Sequence, residues 1–432
     1  MQPWAPPSAP GAGPPAAPVG EGERWVVVDA LRAVALLGIV VVNVAAYRTG
    51  VGPNLAAAGG PIGGDVEPLT VGLSALAEGR FYPLFSFLFG WGFAVQDARS
   101  RARGRSVAGP WLRRCGVLLA FGVAHGVLLF RGDILTTYAV LGLALLLVRR
   151  IPTGWLVAVG AVLVAGQALF AAGLDGLATL LVRETAEGEA DLRAEVAVDW
   201  AATAARYRSG SFGAVARHRA GELAVDLPLG LLSVGGTVLG MMVLGVAAAR
   251  AGWVDPRRWP RWLRSGAVPL WLGGLALSVP AAWALGQGAV VADSAPQAAA
   301  SRLAYALLGP AVALLWAAVV VLAAGTGVGR RARDLLAPAG RMSLTLYLAQ
   351  SLVASLLFTG YGLGLGAEVG IGAAVAIMVG VWALQVVAAH LWFRAFTTGP
   401  LEALARAGTY LRWPRLRRRG APSPLAPSDP PG

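Results

Sequence analysis

Long apolar runs follow one another along almost the whole chain and are separated by short polar turns. A transmembrane helix needs about 20 mostly apolar residues. About ten runs approach this length, near residues 30–48, 80–97, 112–131, 133–148, 154–174, 227–250, 266–286, 302–324, 339–359 and 369–391. The pattern therefore predicts an all-α, polytopic transmembrane helical bundle of about ten spans, with one long loop, 175–226, between spans five and six.

Arginines cluster after every second predicted span, in loops near 99–114, 149–150, 250–264 and 330–333 and in the tail beyond the last span. Cytoplasmic loops carry the excess of basic residues in membrane proteins. All 36 basic residues are arginine, and Ala, Gly, Val and Pro are abundant, which is typical of a GC-rich bacterial genome. We therefore expect a multi-pass protein of the bacterial cytoplasmic membrane with both termini in the cytoplasm. The loop 175–226 mixes arginines with carboxylates, and we expect it on the extracytoplasmic side, with amphipathic helices.

Composition agrees with a bilayer environment, since 56% of the 432 residues are hydrophobic and 14% are charged. The net charge of +13 would suggest nucleic-acid binding in a soluble protein. Here the arginines lie between the apolar runs, so the charge instead indicates which loops are cytoplasmic. Residues 1–24 are rich in Pro, Ala and Gly and predict a disordered cytoplasmic tail rather than a signal peptide. The halves 25–174 and 227–411 hold about five spans each, and 412–432 form a basic, Pro-rich cytoplasmic tail.

The chain has one cysteine and three histidines, too few for a disulfide framework or a cluster of metal ligands. We expect no metal site and no bound cofactor. Candidate chemistry must come instead from polar side chains in or beside the spans, where charges are costly and are functional candidates by default.

Span one carries the first such group, Asp29, Arg32 and Asn43. Asp29 and Arg32 share a helical face and can pair, whereas Asn43 lies about 16 Å further along the helix. An interfacial ion pair and a helix-packing amide explain these residues as well as a functional site does.

The second group, Glu78, Arg80 and Tyr82, directly precedes the aromatic run of span two. Gly90 and Gly92 predict that this helix packs tightly against a neighbour. An ion pair with an aromatic belt at the membrane interface is the alternative interpretation.

The third group comprises His125 in span three and the following Arg131 and Asp133. Imidazole is the usual general base near neutral pH, and a nearby carboxylate favours that use. A hydrogen bond between two helices is the alternative interpretation.

The fourth group lies within span nine, where several polar side chains share one helix. Its members are Arg341, Ser343, Thr345, Tyr347 and Gln350. Ser343, Tyr347 and Gln350 share one face. Such a stripe either lines a cavity or holds helices together, and the second is commoner.

At these same four places the sequence resembles the YeiB family of bacterial membrane proteins of unknown function. The segments that carry the resemblance are DALRAVALLGIVVVN, EGRFYPLFSFLFGWGFA, RRCGVLLAFGVAHGVLLFRGDILTTYAVLGL, APAGRMSLTLYLAQSL, FTGYGLGL and TTGPLEALARAGTY. Ala33, Leu346, Ala403 and Ala405 depart from residues that are usual in the family. The last segment corresponds to the juxtamembrane motif that closes the family's pattern.

The resemblance implies a distant relation to a superfamily of transmembrane acyltransferases. It suggests transfer of an acyl group from cytoplasmic acyl-CoA, a substrate rather than a bound cofactor, to an extracytoplasmic or membrane-embedded acceptor such as a small molecule or glycan. Sugar acyltransferases of that superfamily commonly have histidine near the outer end of span one, where this chain has Asn43. If the chemistry is retained, His125 must act as the base instead.

In that hypothesis Asp133 or Glu78 orients the base or acceptor, and Arg80 or Asn43 stabilises developing oxyanion charge. Arg32 and Arg341 contact CoA phosphates. The remaining substrate-binding candidates are Asp29, Tyr82, Ser343, Tyr347 and Gln350. The alternative function is a transporter or permease for a small solute, which the number of spans and the polar stripe of span nine also fit. The sequence predicts no oligomeric state.

Overall fold

The computed structural model describes residues 25–50, 68–183, 201–288 and 294–418. The predicted tail 1–24 and the residues after 418 lie outside this range. The described residues form helices joined by short turns. The helices are α1 (Val26–Thr49), α2 (Pro68–Ala77), α3 (Phe81–Ala102), α4 (Ala108–Leu128), α5 (Leu135–Gly142), α6 (Leu145–Val148), α7 (Thr153–Arg183), α8 (201–209), α9 (Phe212–Ala251), α10 (Arg261–Gly288), α11 (Ala295–Ala323), α12 (Gly327–Arg341), α13 (Ser343–Phe358), α14 (Ile371–Ala395) and α15 (Pro400–Tyr410).

The predicted all-α polytopic architecture is confirmed. Among the described residues, seven helices are long and apolar enough to cross a membrane, or eight if α12 and α13 form one broken span. These two helices meet at an angle of 77°. The only extended pairing within the described ranges is a single bridge between Phe396 and Arg417.

Three of the ten predicted runs fall short of a full span by themselves. The fourth run divides into α5 and α6, of 8 and 4 residues, because the helix is interrupted between Gly142 and Leu145. The ninth run becomes α13, whose 16 residues follow the sharp bend after α12. α3 has 22 residues, but the polar and charged side chains of its second half lower its hydropathy.

Helices extend into the predicted loop 175–226 from both sides. α7 continues to Arg183 and α9 begins at Phe212, so that only 184–200 fall outside the described residues. The charge of Asp175 does not end α7, because its carboxylate pairs with Arg302 of α11 at 2.7 Å. A paired charge costs less than an isolated one in an apolar environment, and the sequence alone does not reveal the partner.

α9 packs closely against α3 and α7. A methyl group on Gly90 of α3 would overlap the carbonyl oxygen of Met242, and one on Gly245 would overlap that of Phe87. Small residues allow two helix backbones to approach this closely. The predicted close packing is therefore correct for Gly90, whereas Gly92 faces open space.

The amphipathic helix α15 is attached to the start of α13 through Glu402. Its carboxylate accepts hydrogen bonds from the backbone N–H groups of Leu344 at 2.7 Å and Thr345 at 3.1 Å, and from the Thr345 hydroxyl at 2.6 Å. The first N–H groups of a helix have no partner within that helix, so Glu402 satisfies them from another element. Burial raises the pKa of Glu402, and these hydrogen bonds oppose that shift.

We predict that Gly90→Leu destabilises the protein strongly while Gly92→Leu does not. The larger side chain at Gly90 must separate α3 from the Met242 carbonyl, and such overpacking costs at least about 1–3 kcal/mol. The measurement is the midpoint of thermal unfolding of each purified variant in detergent, monitored by size-exclusion chromatography of heated samples. Equal midpoints for the two variants would contradict the close contact of α3 and α9.

We also predict that Glu402→Ala lowers the unfolding midpoint more than Glu402→Gln. Alanine leaves the N–H groups of Leu344 and Thr345 without the acceptor, at about 1–3 kcal/mol, whereas glutamine keeps one acceptor oxygen. Glu368→Ala is the matched control, since Glu368 is exposed. Loss of stability in that control as large as in Glu402→Ala would argue against the capping role.

Candidate functional site

His125 lies in the last turn of α4 and pairs with Asp133, which lies two residues before the start of α5. After α4 the chain turns back, and the imidazole Nδ1 lies 2.8 Å from the Asp133 Oδ1. Both side chains are fully buried. The other carboxylate oxygen, Oδ2, accepts hydrogen bonds from the backbone N–H of Thr136 at 2.8 Å and its hydroxyl at 2.9 Å. Asp133 thus caps the start of α5 and holds the imidazole with one side chain.

The second imidazole nitrogen, Nε2, lies 2.8 Å from the Ser351 hydroxyl of α13. The same hydroxyl lies 2.8 Å from the Tyr47 hydroxyl at the end of α1. Tyr47 in turn forms a side-chain hydrogen bond with Asn43. A continuous chain of hydrogen bonds therefore joins α5, α4, α13 and α1, and we call its members Asp133, His125, Ser351 and Tyr47 the buried relay.

An ionised Asp133 carboxylate and a neutral His125 imidazole together allow one arrangement of protons in the buried relay. The carboxylate only accepts hydrogen bonds, so His125 donates from Nδ1 to Asp133. In a neutral imidazole the Nε2 then accepts, and Ser351 is its donor. The Ser351 oxygen consequently accepts from Tyr47. This arrangement gives each of the four groups a partner of the right kind.

Two aromatic rings pack beside the imidazole. The Tyr347 ring centroid lies 4.8 Å from that of His125, and the Phe130 centroid lies 6.1 Å away. Phe130 also contacts Tyr47, with 4.4 Å between their centroids. Such a dry environment strengthens electrostatic interactions and makes an unpaired polar group costly. The rings also fix the orientation of the imidazole.

A second polar group adjoins the buried relay one helical turn further along α13. The Ser355 hydroxyl donates to the Leu129 carbonyl at 2.9 Å and lies 2.7 Å from the Tyr361 hydroxyl. The buried Arg219 of α9 donates to the Leu128 carbonyl at 2.9 Å and to the Tyr207 hydroxyl at 3.0 Å. Burial raises the pKa of Tyr207, although Arg219 opposes that shift. Arg219 therefore ties α9 to the Leu128 carbonyl at the end of α4.

A surface cleft of about 410 Å³ opens beside this region. It is lined by residues that include Arg131, Arg217, His218, Glu222 and Asp226. Arg131 pairs with Asp226 at 2.6 Å and with Glu222 at 2.5 Å. Since Arg131 is two residues from Asp133, the cleft lies next to the loop that holds the buried relay.

The residues predicted from spans one and two divide between different places. Asn43 reaches the buried relay through Tyr47. Glu78 and Arg80 form a separate cluster, in which the Arg80 guanidinium donates to the Glu78 carbonyl and lies 5.6 Å from the ring centroid of Tyr305.

Tyr82 adjoins that cluster in sequence and contributes its backbone, because its carbonyl accepts from the Tyr138 hydroxyl at 2.7 Å. The hypothesis that Glu78 orients a base thus has less geometric support than the same role for Asp133, which contacts His125 directly.

Asp29, Arg32 and Arg341 lie at the opposite end of the bundle. Asp29 and Arg32 pair at 2.6 Å, and Arg341 lies 4.1 Å above the ring centroid of Phe393. Arg114 of α4 is within electrostatic range of Arg32 and Arg406, and Arg406 is within that of Arg341. We call this set, Arg32, Arg114, Arg341 and Arg406, the arginine cluster.

The polar side chains of span nine contact partners in different parts of the bundle. Tyr347 contacts His125, whereas Gln350 donates to the Gln385 side chain of α14 at 2.9 Å and thus joins two helices. Ser343 begins α13 at the end near the arginine cluster. Thr345 binds Glu402.

Two members of the buried relay, Ser351 and Tyr47, were missed in the sequence. A signal for Ser351 exists, because Ser343, Tyr347, Ser351 and Ser355 recur at every fourth position and so lie along one face of α13. Tyr47 follows Asn43 at the same spacing. Neither pattern predicts that α4 brings His125 to this face.

Comparison with known proteins agrees with the resemblance seen in the sequence. Residues 248–412 match the family model described as "Protein of unknown function (DUF418)". The chain is 30% identical to the "Uncharacterized protein YxaH" of Bacillus subtilis over 421 residues, which cover 93% of this chain and 98% of the relative. It is 28% identical to the "Uncharacterized protein YeiB" of Escherichia coli over 405 residues, 89% of this chain and 96% of the relative. No solved structure matches significantly. The chain therefore belongs to the YeiB-like DUF418 family.

Proposed function

We propose that this protein is a membrane acyltransferase in which His125 is the general base. The observation that carries the proposal is the hydrogen-bonded pair of His125 and Asp133, buried among membrane helices with Ser351 on the second imidazole nitrogen. Ionisable groups inside a membrane are costly and mark functional sites. A histidine whose tautomer is fixed by a carboxylate is the arrangement that acyl-transfer enzymes use on unrelated folds.

Asp133 orients the imidazole and stabilises the imidazolium that forms when His125 accepts a proton. General bases contribute typically about 10²–10⁴-fold to the rate. Asn43 and Tyr47 lie on the other side of Ser351 and supply hydrogen-bond donors for negative charge that develops there. Arg80, in its separate cluster, is less suited to this second role.

The arginine cluster supports a polyanionic donor such as acyl-CoA. Arg114 lies within electrostatic range of Arg32 and Arg406, and Arg406 lies within that of Arg341. Two carboxylates, Asp29 and Glu402, are also within range of Arg406, so four guanidinium groups meet two carboxylates and the net charge is positive. Excess positive charge of this kind attracts phosphates. Arg114 and His125 are eleven residues apart on α4, about 16 Å at about 1.5 Å per residue, a distance that the pantetheine arm of CoA must bridge.

The acceptor would approach from the opposite end, through the charged cleft of Arg131, Glu222 and Asp226. This arrangement fits a hydroxyl or amine on a small molecule or glycan. With the arginine cluster facing the cytoplasm, both termini lie on the cytoplasmic side of the bacterial inner membrane, and the acceptor is extracytoplasmic or embedded in the membrane.

We predict that His125→Ala reduces acyl transfer at least about 100-fold, the lower range of general-base catalysis. The measurement is transfer of radiolabel from acetyl-CoA in inverted membrane vesicles, with variants expressed at equal levels. His390→Ala is the matched control, because His390 contacts only a backbone carbonyl, that of Leu335, in the contacts described. It should transfer label like the unmodified protein.

Sidedness provides a further test with the same vesicles. Acetyl-CoA supplied to sealed right-side-out vesicles should give no transfer, because the arginine cluster is then inside. Equal transfer in both orientations, or full activity of His125→Ala, would refute the proposal. If acetyl and longer acyl donors all fail with the unmodified protein, proton-coupled solute transport through the same ionisable pair becomes the better hypothesis.

A further inference from the structure

We propose that Ser351 is a nucleophile that carries the acyl group as a covalent ester during the reaction. This inference rests on the proposed function and adds an intermediate to it. Ser351 belongs to none of the groups singled out by the sequence. Its hydroxyl, the imidazole of His125 and the carboxylate of Asp133 form the order of groups found in serine acyl-transfer enzymes, which is recognised by geometry and not by position in the chain.

The distances fit this assignment. A base must lie within about 2.6–3.2 Å of the nucleophile it activates, and a third group must orient the base. Ser351 Oγ is 2.8 Å from His125 Nε2, and His125 Nδ1 is 2.8 Å from Asp133 Oδ1. His125 and Asp133 lie eight residues apart across one short loop, and tertiary packing brings Ser351 of α13 to this pair.

The hydrogen-bond competition at Ser351 also favours an activated hydroxyl. A serine inside a helix usually donates to the carbonyl four residues earlier, and here that carbonyl, of Tyr347, is 3.3 Å away. The imidazole nitrogen is closer, at 2.8 Å. Tyr47 occupies the other side of the oxygen at 2.8 Å. With Ser351 donating to the imidazole, the Tyr47 O–H donates to the oxygen on which negative charge develops when Ser351 loses its proton.

The reaction divides into two balanced steps. In the first, the Ser351 proton moves to His125 Nε2 while Oγ forms a bond with the thioester carbonyl carbon. The carbon–sulfur bond then breaks, and the leaving thiolate takes the proton from His125. In the second, His125 accepts the proton of the acceptor hydroxyl or amine, whose oxygen or nitrogen bonds to the acyl carbon. The Ser351 oxygen leaves and recovers the proton.

A covalent intermediate fits the separation between the arginine cluster and the charged cleft. The arginine cluster and the charged cleft lie at opposite ends of the bundle, and the buried relay lies at the end near the cleft. A direct transfer requires donor and acceptor at the imidazole together. An ester on Ser351 lets the thiol leave toward the arginine cluster before the acceptor enters, so each substrate needs only its own route.

The test uses the full-length protein in lipid nanodiscs and a fluorophosphonate probe, which phosphorylates activated serines and releases fluoride. We expect labelling of the peptide that contains Ser351. Ser351→Ala should remove it, and His125→Ala should reduce it at least tenfold. Ser278→Ala is the matched control, because Ser278 is equally buried but donates only to the Gly274 carbonyl of its own helix, at 2.7 Å. In this variant Ser351 should be labelled as strongly as in the unmodified protein.

The unmodified protein provides a second measurement that needs no variant. After incubation with acetyl-CoA alone and an acid quench, mass spectrometry should find one acetyl group on the Ser351 peptide, and hydroxylamine should remove it. Failure of both labels on Ser351, while acetyl transfer persists and depends on His125, would overturn the nucleophile and leave the proposed function intact. Probe labelling of Ser351 without transfer from any acyl donor would support the nucleophile and count against the proposed function.

Discussion

The buried relay depends on one constraint, namely that a carboxylate and an imidazole enclosed by membrane helices must satisfy each other's hydrogen bonds. Asp133 accepts from His125 and from both the backbone and the side chain of Thr136. An unpaired charge in this environment would be costly. The loop after α4 and the start of α5 therefore have to adopt the conformation that brings the two groups together, and α13 completes the pair with Ser351.

The rest of the bundle supplies the rigidity that this pairing needs. α9 packs against α3 through Gly90 and Gly245 without intervening side chains, and its Arg219 binds the Leu128 carbonyl that ends α4. At the other end, Glu402 fastens α15 to α13. Both helices that position the imidazole and the serine are thus held at contacts outside the buried relay, which is how preorganised sites achieve accurate geometry.

The sequence predicted those features that depend on local composition. Apolar runs identified the helices, and the spacing of His125 and Asp133 across a short loop was enough to suggest a pair. The sequence did not predict contacts between residues that lie on distant elements of the chain. Ser351 was not singled out in the sequence, and Asp175 was assigned to the loop because its partner Arg302 lies far away in the chain. The division between the buried relay and the arginine cluster also required the helices to be placed in three dimensions.

The most direct test of the buried relay is nitrogen NMR of the protein labelled with ¹⁵N-histidine in lipid nanodiscs at neutral pH. The chain has only three histidines, so a His125→Gln variant assigns the signals. We predict that the His125 ring is protonated at Nδ1, with that proton hydrogen-bonded to Asp133, and that Nε2 accepts from Ser351. A neutral ring protonated at Nε2, or a ring that exchanges freely between both forms, would contradict it.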